Sequence, residues 1–335
     1  MNVAPRIDLG VKAEHRITRL RLWHVPLTSH TAYYMAEGKA CDTVEPVVIA
    51  VETDRGVTGW GEVCPIPHYL PAYARGVAPA LQELAPVILG GDPIGVEALM
   101  ARADAHLPGH VYAKSALDIA LWDITGQAAG LPLHALMGGK RQSDLPLYHS
   151  ITCVEPDEMA RIAREAQAKG STQFQAKLGA SGDWSTDVER LAKVREAVGH
   201  GPLVYGDWNC GSTSLDAIRV GRGAADLDVM LEQPCATLED CARVQRATHL
   251  PMKLDELCSE CTWGSDISMA AALHLGAGTA PQRLLNVCDL SGYVAPRLAP
   301  DGPTRDGGRI AAPEAPGLGI TVDAEALGAP DLILD

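Results

Sequence analysis

Four short apolar stretches in the middle of this chain each end in a charged side chain, at Lys177, Asp207, Glu232 and Asp255, with successive ends 30, 25 and 23 residues apart. Between them lie amphipathic segments of helical period: TDVERLAKVREAVG, SLDAIRVGRGAADL and LEDCARVQRATHL. One strand with one helix occupies about that much chain, so the spacing predicts consecutive parallel βα units. An earlier unit, PDEMARIAREAQAKG followed by TQFQAKLG, opens the series. Four or more such units in succession predict an α/β fold of the (β/α) barrel type, over residues 144–316.

The segment before it has a different character. From Ile17 to Glu62, RITRLRLWHVPL, EPVVIAVET and GVTGWGEV read as a three-stranded antiparallel meander, with the turn Asp54-Arg55-Gly56 closing the last hairpin. Helical patterns follow in PAYARGVAPALQELAPVIL, PIGVEALMARADAHL and AKSALDIALWDITGQAAG, the last stopped by Gly130 and Pro132. Residues 1–143 are therefore expected to form an α+β domain.

With 47% hydrophobic residues the chain of 335 residues can bury two cores. Its net charge of −14 repels phosphate backbones and anionic membranes, so neither nucleic acid nor a membrane is an expected partner, and a small molecule is. No leader-like start and no apolar run of spanning length is visible, which gives the expectation of a cytoplasmic protein. Nine scattered cysteines suit reduced thiols; the Cys258/Cys261 pair lacks a second pair at zinc-site spacing.

Residues at the carboxyl ends of neighbouring barrel strands converge on one mouth. Asp207, Glu232 and Asp255 would meet there, and three carboxylates in one cavity call for a divalent cation. Oxygen ligands alone favour Mg²⁺, or Mn²⁺, over zinc. The alternative is that some of these acids cap the helices that follow them.

These stretches resemble one family, the mandelate racemase and muconate-lactonizing branch of the enolase superfamily. Ala113–Gly139 looks like its helix at the entry to the barrel, and QAKLG resembles its Lys-x-Lys strand end with Gln175 in place of the first lysine and Lys177 as the second. GDWN, LEQP and LDE resemble its three metal-ligand strand ends, and CTWGSDI and PGLGIT its closing segments. The resemblance implies a modified (β/α)7β barrel under an N-terminal cap to which residues 317–335 return, a homo-oligomer, and magnesium-dependent removal of the proton beside a carboxylate. Lys177 would be the base and Asp207, Glu232 and Asp255 the metal ligands. A divalent ion stabilises the charge that builds on the carboxylate, and burial next to that ion would lower the lysine pKa.

After Asp255 the periodicity breaks, because LDELC runs directly into SECTWGSDI. The resemblance implies a shortfall of about 40 to 50 residues, or one and a half units at roughly 30 residues each. Relatives carry a second catalytic lysine in that stretch, whereas this chain has no lysine after Lys253. CPIPHYLPAYARGV looks like the specificity loop of relatives that epimerise proline betaines or dehydrate cis-3-hydroxy-L-proline. The substrate implied is a small carboxylate, an amino or imino acid. Expected contacts are Tyr34, Ile66 and Tyr69 from the cap, Gln175, Asn209 and Trp263, and Cys288 and Asp289 in NVCDLSGY, where an acid would pair with a secondary ammonium. Asp266 is the expected N-cap of the next helix. Dehydration of a hydroxyproline-type substrate is the leading expectation, racemisation or epimerisation the second, and a noncatalytic carboxylate-binding relative the third.

Overall fold

The computed structural model describes residues 15–67, 72–256, 263–289 and 291–335. Five strands come first: β1 (Ile17–His24), β2 (Leu27–Tyr34), β3 (Ala40–Val44), β4 (Val47–Thr53) and β5 (Thr58–Val63). Helices α1 (Val77–Ile88), α2 (Val96–His106), α3 (Val111–Ala129) and α4 (Leu133–Leu136) follow. Next are β6 (Leu145–Pro146), β7 (His149–Ile151), α5 (Pro156–Ala168), β8 (Gln173–Lys177), α6 (Trp184–Val198), β9 (Leu203–Asp207) and α7 (Ser214–Gly223). The chain continues through β10 (Met230–Glu232), α8 (Leu238–Thr248), β11 (Met252–Lys253) and α9 (Asp266–Gly278). It closes with β12 (Val294–Ala295), β13 (Arg309–Ile310), α10 (Ala324–Leu327) and β14 (Leu332–Leu334).

Strand β4 buries Val47 through Val51 without a break, a run that only a strand covered on both faces can carry. It is accordingly central in the antiparallel sheet β14-β1-β4-β5. The meander reading thus holds for β1, β4 and β5 but omits β2 and β3, which pair with each other and with β12 in a separate sheet. Helix α3 lies on β5, where Gly59 and Gly61 leave bare backbone against the carbonyl oxygens of Ala120 and Ala116. The helix ends at Gly130, whose φ of 67° is the left-handed cap that glycine adopts without strain. A methyl group at residue 61 would overlap the Ala116 carbonyl, which is backbone and cannot rotate away. Gly61→Ala is therefore expected to cost about 3 kcal/mol, measured by urea denaturation, against near-neutrality at open Gly56→Asn.

Strands β7 to β11 form one parallel sheet in the order β11-β10-β9-β8-β7. Leu147 adds a parallel bridge to Val287 beside β7. Phe174, Ala176, Val204 and Leu231 from this sheet pack on Met159, Leu191, Val220 and Val244 of α5 to α8. Among the described residues β11 is the edge of the wall, and α9 is the next element after it. The expected closed barrel is thus present as five strands and a bridge. No described helix is long and apolar enough to cross a membrane.

Candidate active site

Parallel pairing without a slip sets the level of the functional groups. Lys177 pairs with Asp207, Asp207 with Glu232, and Glu232 with Lys253. Four adjacent strands therefore carry a cation, two anions and a cation in one row. Asp207 and Glu232 do not cap the helices that follow them, and among the described residues neither does Asp255, because the capping oxygens are those of Thr213, Thr237 and Ser265. Asp266 is not a cap either: it is the first helical residue, and its carboxylate accepts from the backbone amides of Leu298 and Ala299, both at 3.0 Å.

Lys177 Nζ donates to Asp207 and, at 2.9 Å, to Asn209 Oδ1. The ring of Tyr33 lies 5.8 Å from the same ammonium. Asn209 donates in turn to Glu256 Oε1 at 2.9 Å. Gln175 Nε2 donates to Glu232 Oε2 at 2.8 Å, and Gln175 Oε1 accepts from Ser150, which also bonds Tyr33. Lys253 Nζ lies 2.5 Å from Glu232 Oε1 and within 4.9 and 5.0 Å of the ring centres of Tyr148 and Tyr205. Glu232 is therefore held on one oxygen by a neutral amide and on the other by a charged ammonium.

Burial is the largest single influence on Lys177 and opposes its charge, but Asp207, Tyr33 and Glu232 together outweigh it and hold the ammonium well above its usual range when no ion is bound. Burial, then Asp207, pushes Glu232 up to about 7; burial, then Glu232 and Glu256, pushes Asp255 up to about 8. No three His, Cys, Asp or Glu side chains among the described residues are already gathered as a ligand set, because lysines hold Asp207 and Glu232. The donor set nevertheless fits a divalent cation. Ionised together, Asp207, Glu232, Asp255 and Glu256 would exceed the two ammonium groups by two negative charges, and buried Glu256 Oε2 lacks a donor.

A cavity of about 880 Å³ opens beside this row, lined by Lys253, Asp255, Trp263, Cys288 and Tyr148 together with apolar residues of α3 and α9. Trp263 packs edge-on against Tyr33 at 5.2 Å and Tyr293 at 6.0 Å. Cys288 is a partly buried free thiol, pushed up to about 11 chiefly by burial. Asp289 does not share this cavity. Its carboxylate accepts from Arg305 Nε at 2.6 Å and the Gly292 amide at 3.1 Å, so it is committed within the protein instead of awaiting an amine. It lines a second cavity of about 660 Å³ with Arg305 and His149. Tyr34 is 43% exposed and lines neither cavity, while Ile66 is buried in a core shared by β2, β4 and α9. Tyr69, Cys258 and Cys261 lie outside the described residues.

Comparison with known proteins agrees with this layout. The model "Mandelate racemase / muconate lactonizing enzyme, N-terminal domain" matches residues 18–138, and "Enolase C-terminal domain-like" matches 158–262 and 256–326. A cis-3-hydroxy-L-proline dehydratase of Roseibium aggregatum is 34% identical, with 94% of this chain and 98% of that protein aligned. The 363 aligned positions exceed the 335 residues here, so the relative carries a segment that this chain lacks. The two-piece match of the C-terminal model puts the break at 256–262, where the periodicity fails. An N-succinyl-L-Arg/Lys racemase of Bacillus cereus is 28% identical over 72% of this chain and 66% of its own length. Among solved structures, an enolase-superfamily member from Roseovarius nubinhibens complexed with magnesium has a TM-score of 0.88 at 32% identity, covering 96% of this chain and all of that one. A barrel beneath an N-terminal cap, a row of buried acids at the strand ends and these matches over nearly the whole length lead to one conclusion: the chain is an enzyme of the enolase superfamily and belongs to its mandelate racemase / muconate lactonizing family.

Proposed function

We propose that this enzyme is a magnesium-dependent dehydratase of a hydroxyproline-type imino acid, with Lys177 as the base that takes the proton beside the substrate carboxylate. The observation that carries the reading is the row Lys177, Asp207, Glu232 at the strand ends, with more acids than ammonium groups around it. Asp207, Glu232 and Asp255 would hold the ion. Bound there, the ion supplies positive charge to the substrate carboxylate as negative charge develops on it.

The residues of the chain do the rest. Asn209 and the Tyr33 ring fix the Lys177 ammonium on one side of the cavity. Gln175 fixes Glu232 through a neutral amide. Trp263, Tyr33 and Tyr293 form an apolar wall that excludes water from the reacting carbon. With no lysine after Lys253, proton removal and return of a proton to the leaving hydroxyl both fall to Lys177 on one face, which suits a syn elimination. Racemisation needs a second base on the opposite face. Relatedness to the dehydratase at 34% identity over nearly both full lengths supports the same choice.

The test is incubation with Mg²⁺ in D₂O of proline, its 3- and 4-hydroxy isomers and their betaines. Release of a cyclic imine from a 3-hydroxyproline is the expected result. Deuterium uptake with inversion at the α-carbon and no loss of water would establish racemisation instead, and absence of any of these with every compound would overturn the substrate class.

A further inference from the structure

We propose that Lys253 is a resident counter-ion of Glu232 that competes with a divalent cation for that carboxylate. The proposal rests on the reading of Asp207, Glu232 and Asp255 as the metal-binding acids. Glu232 has no exposed surface, and its two oxygens are met by two different side chains. Gln175 gives Oε2 a neutral hydrogen bond at 2.8 Å, while Lys253 gives Oε1 a full charge at 2.5 Å. The nearest positive charge on this acid therefore comes from β11, with Lys177 of β8 adding a weaker share. The ammonium is also caged: the Tyr148 and Tyr205 rings present their faces at 4.9 and 5.0 Å, which holds a cation in place when Glu232 is drawn elsewhere.

Two consequences follow from Coulomb's law. Without a divalent ion, Lys177 and Lys253 balance Asp207 and Glu232 pair by pair, so the strand ends stay together. With one, a divalent charge must share Glu232 with an ammonium a few ångströms away, and that repulsion weakens binding by tenfold or more at the effective dielectric of a protein interior. If Lys253 merely packed against the two tyrosines, removing its charge would not tighten metal binding.

Calorimetric titration of Mn²⁺ into metal-free protein separates these. Lys253→Met and Lys253→Gln are expected to bind Mn²⁺ at least tenfold more tightly than wild type, and Lys253→Arg, which keeps the charge, within about threefold of it. The two neutral variants are also expected to melt at lower temperature in EDTA and to recover with Mg²⁺. Unchanged or weaker Mn²⁺ binding in both neutral variants, in protein whose metal binding Asp255→Asn abolishes, would overturn the role of Lys253 and leave the metal site standing. Wild-type protein that binds no Mn²⁺ would overturn both.

Discussion

Lys177→Met is expected to lower kcat by about a thousandfold or more, with the fold intact in the presence of Mg²⁺. The lysine Nζ is the one amine placed against both Asp207 and Asn209, and methionine fills its volume without a transferable proton. The same change leaves Asp207, which is 1% exposed, without its ion-pair partner. Removing one member of a buried pair costs on the order of 3 kcal/mol, because the remaining charge keeps its desolvation penalty. Two measurements therefore belong together: turnover with saturating Mg²⁺, and denaturant unfolding in EDTA. Loss of activity without loss of metal-free stability would mean that the Lys177–Asp207 contact is weak. Loss of stability with activity intact would remove Lys177 from the chemistry.

The second large effect concerns Asp255, the strand-end acid that lies next to Glu232 and Glu256 and follows Lys253 by two residues. Asp255→Asn removes one acid from a group that, fully ionised, would carry two negative charges in excess. In EDTA the variant is expected to be at least as stable as wild type, since repulsion from Glu232 and Glu256 is relieved. With Mg²⁺ the order reverses. A ligand present at a hundred times its dissociation constant stabilises by about 2.7 kcal/mol, and the variant should forfeit most of that together with a hundredfold or more of its activity. Thermal melts with and without Mg²⁺ check the reversal directly. A variant that responds to Mg²⁺ as wild type does would exclude Asp255 from ion binding.

Lys177, Asp207 and Glu232 could be found at one level in the sequence because parallel strands without bulges place equivalent residues together, whereas Asp255 lies two residues past the Lys253 that completes the level. Lys253 escaped attention for a related reason. It precedes Asp255 by two residues on the same face, and taking one polar residue per strand end hides the other. Adjacent tyrosines gave a similar difficulty. Period-two alternation sends Tyr33 inward and Tyr34 outward, but the irregular register of β2 against β3 left their order open until the fold was known. Asp289 was misjudged because its partner, Arg305, is a tertiary neighbour that nothing in NVCDLSGY announces. Ser265 displaced Asp266 as the helix cap by a single residue, a distinction carried only by backbone angles. The meander reading missed β2 and β3 because their alternation includes His, Ser and Thr and little continuous apolar sequence.

The β14 strand has a bearing on how the molecule is made. Its residues 332–334 form the outer row of the first sheet, against β1, more than three hundred positions upstream. The sheet cannot be finished before residues 332–334 are made, so the cap has to wait with that edge of β1 uncovered, and long-range closure of this kind is slow. Deleting residues 332–334 should lower the yield of folded protein well before it disturbs the groups around Lys177.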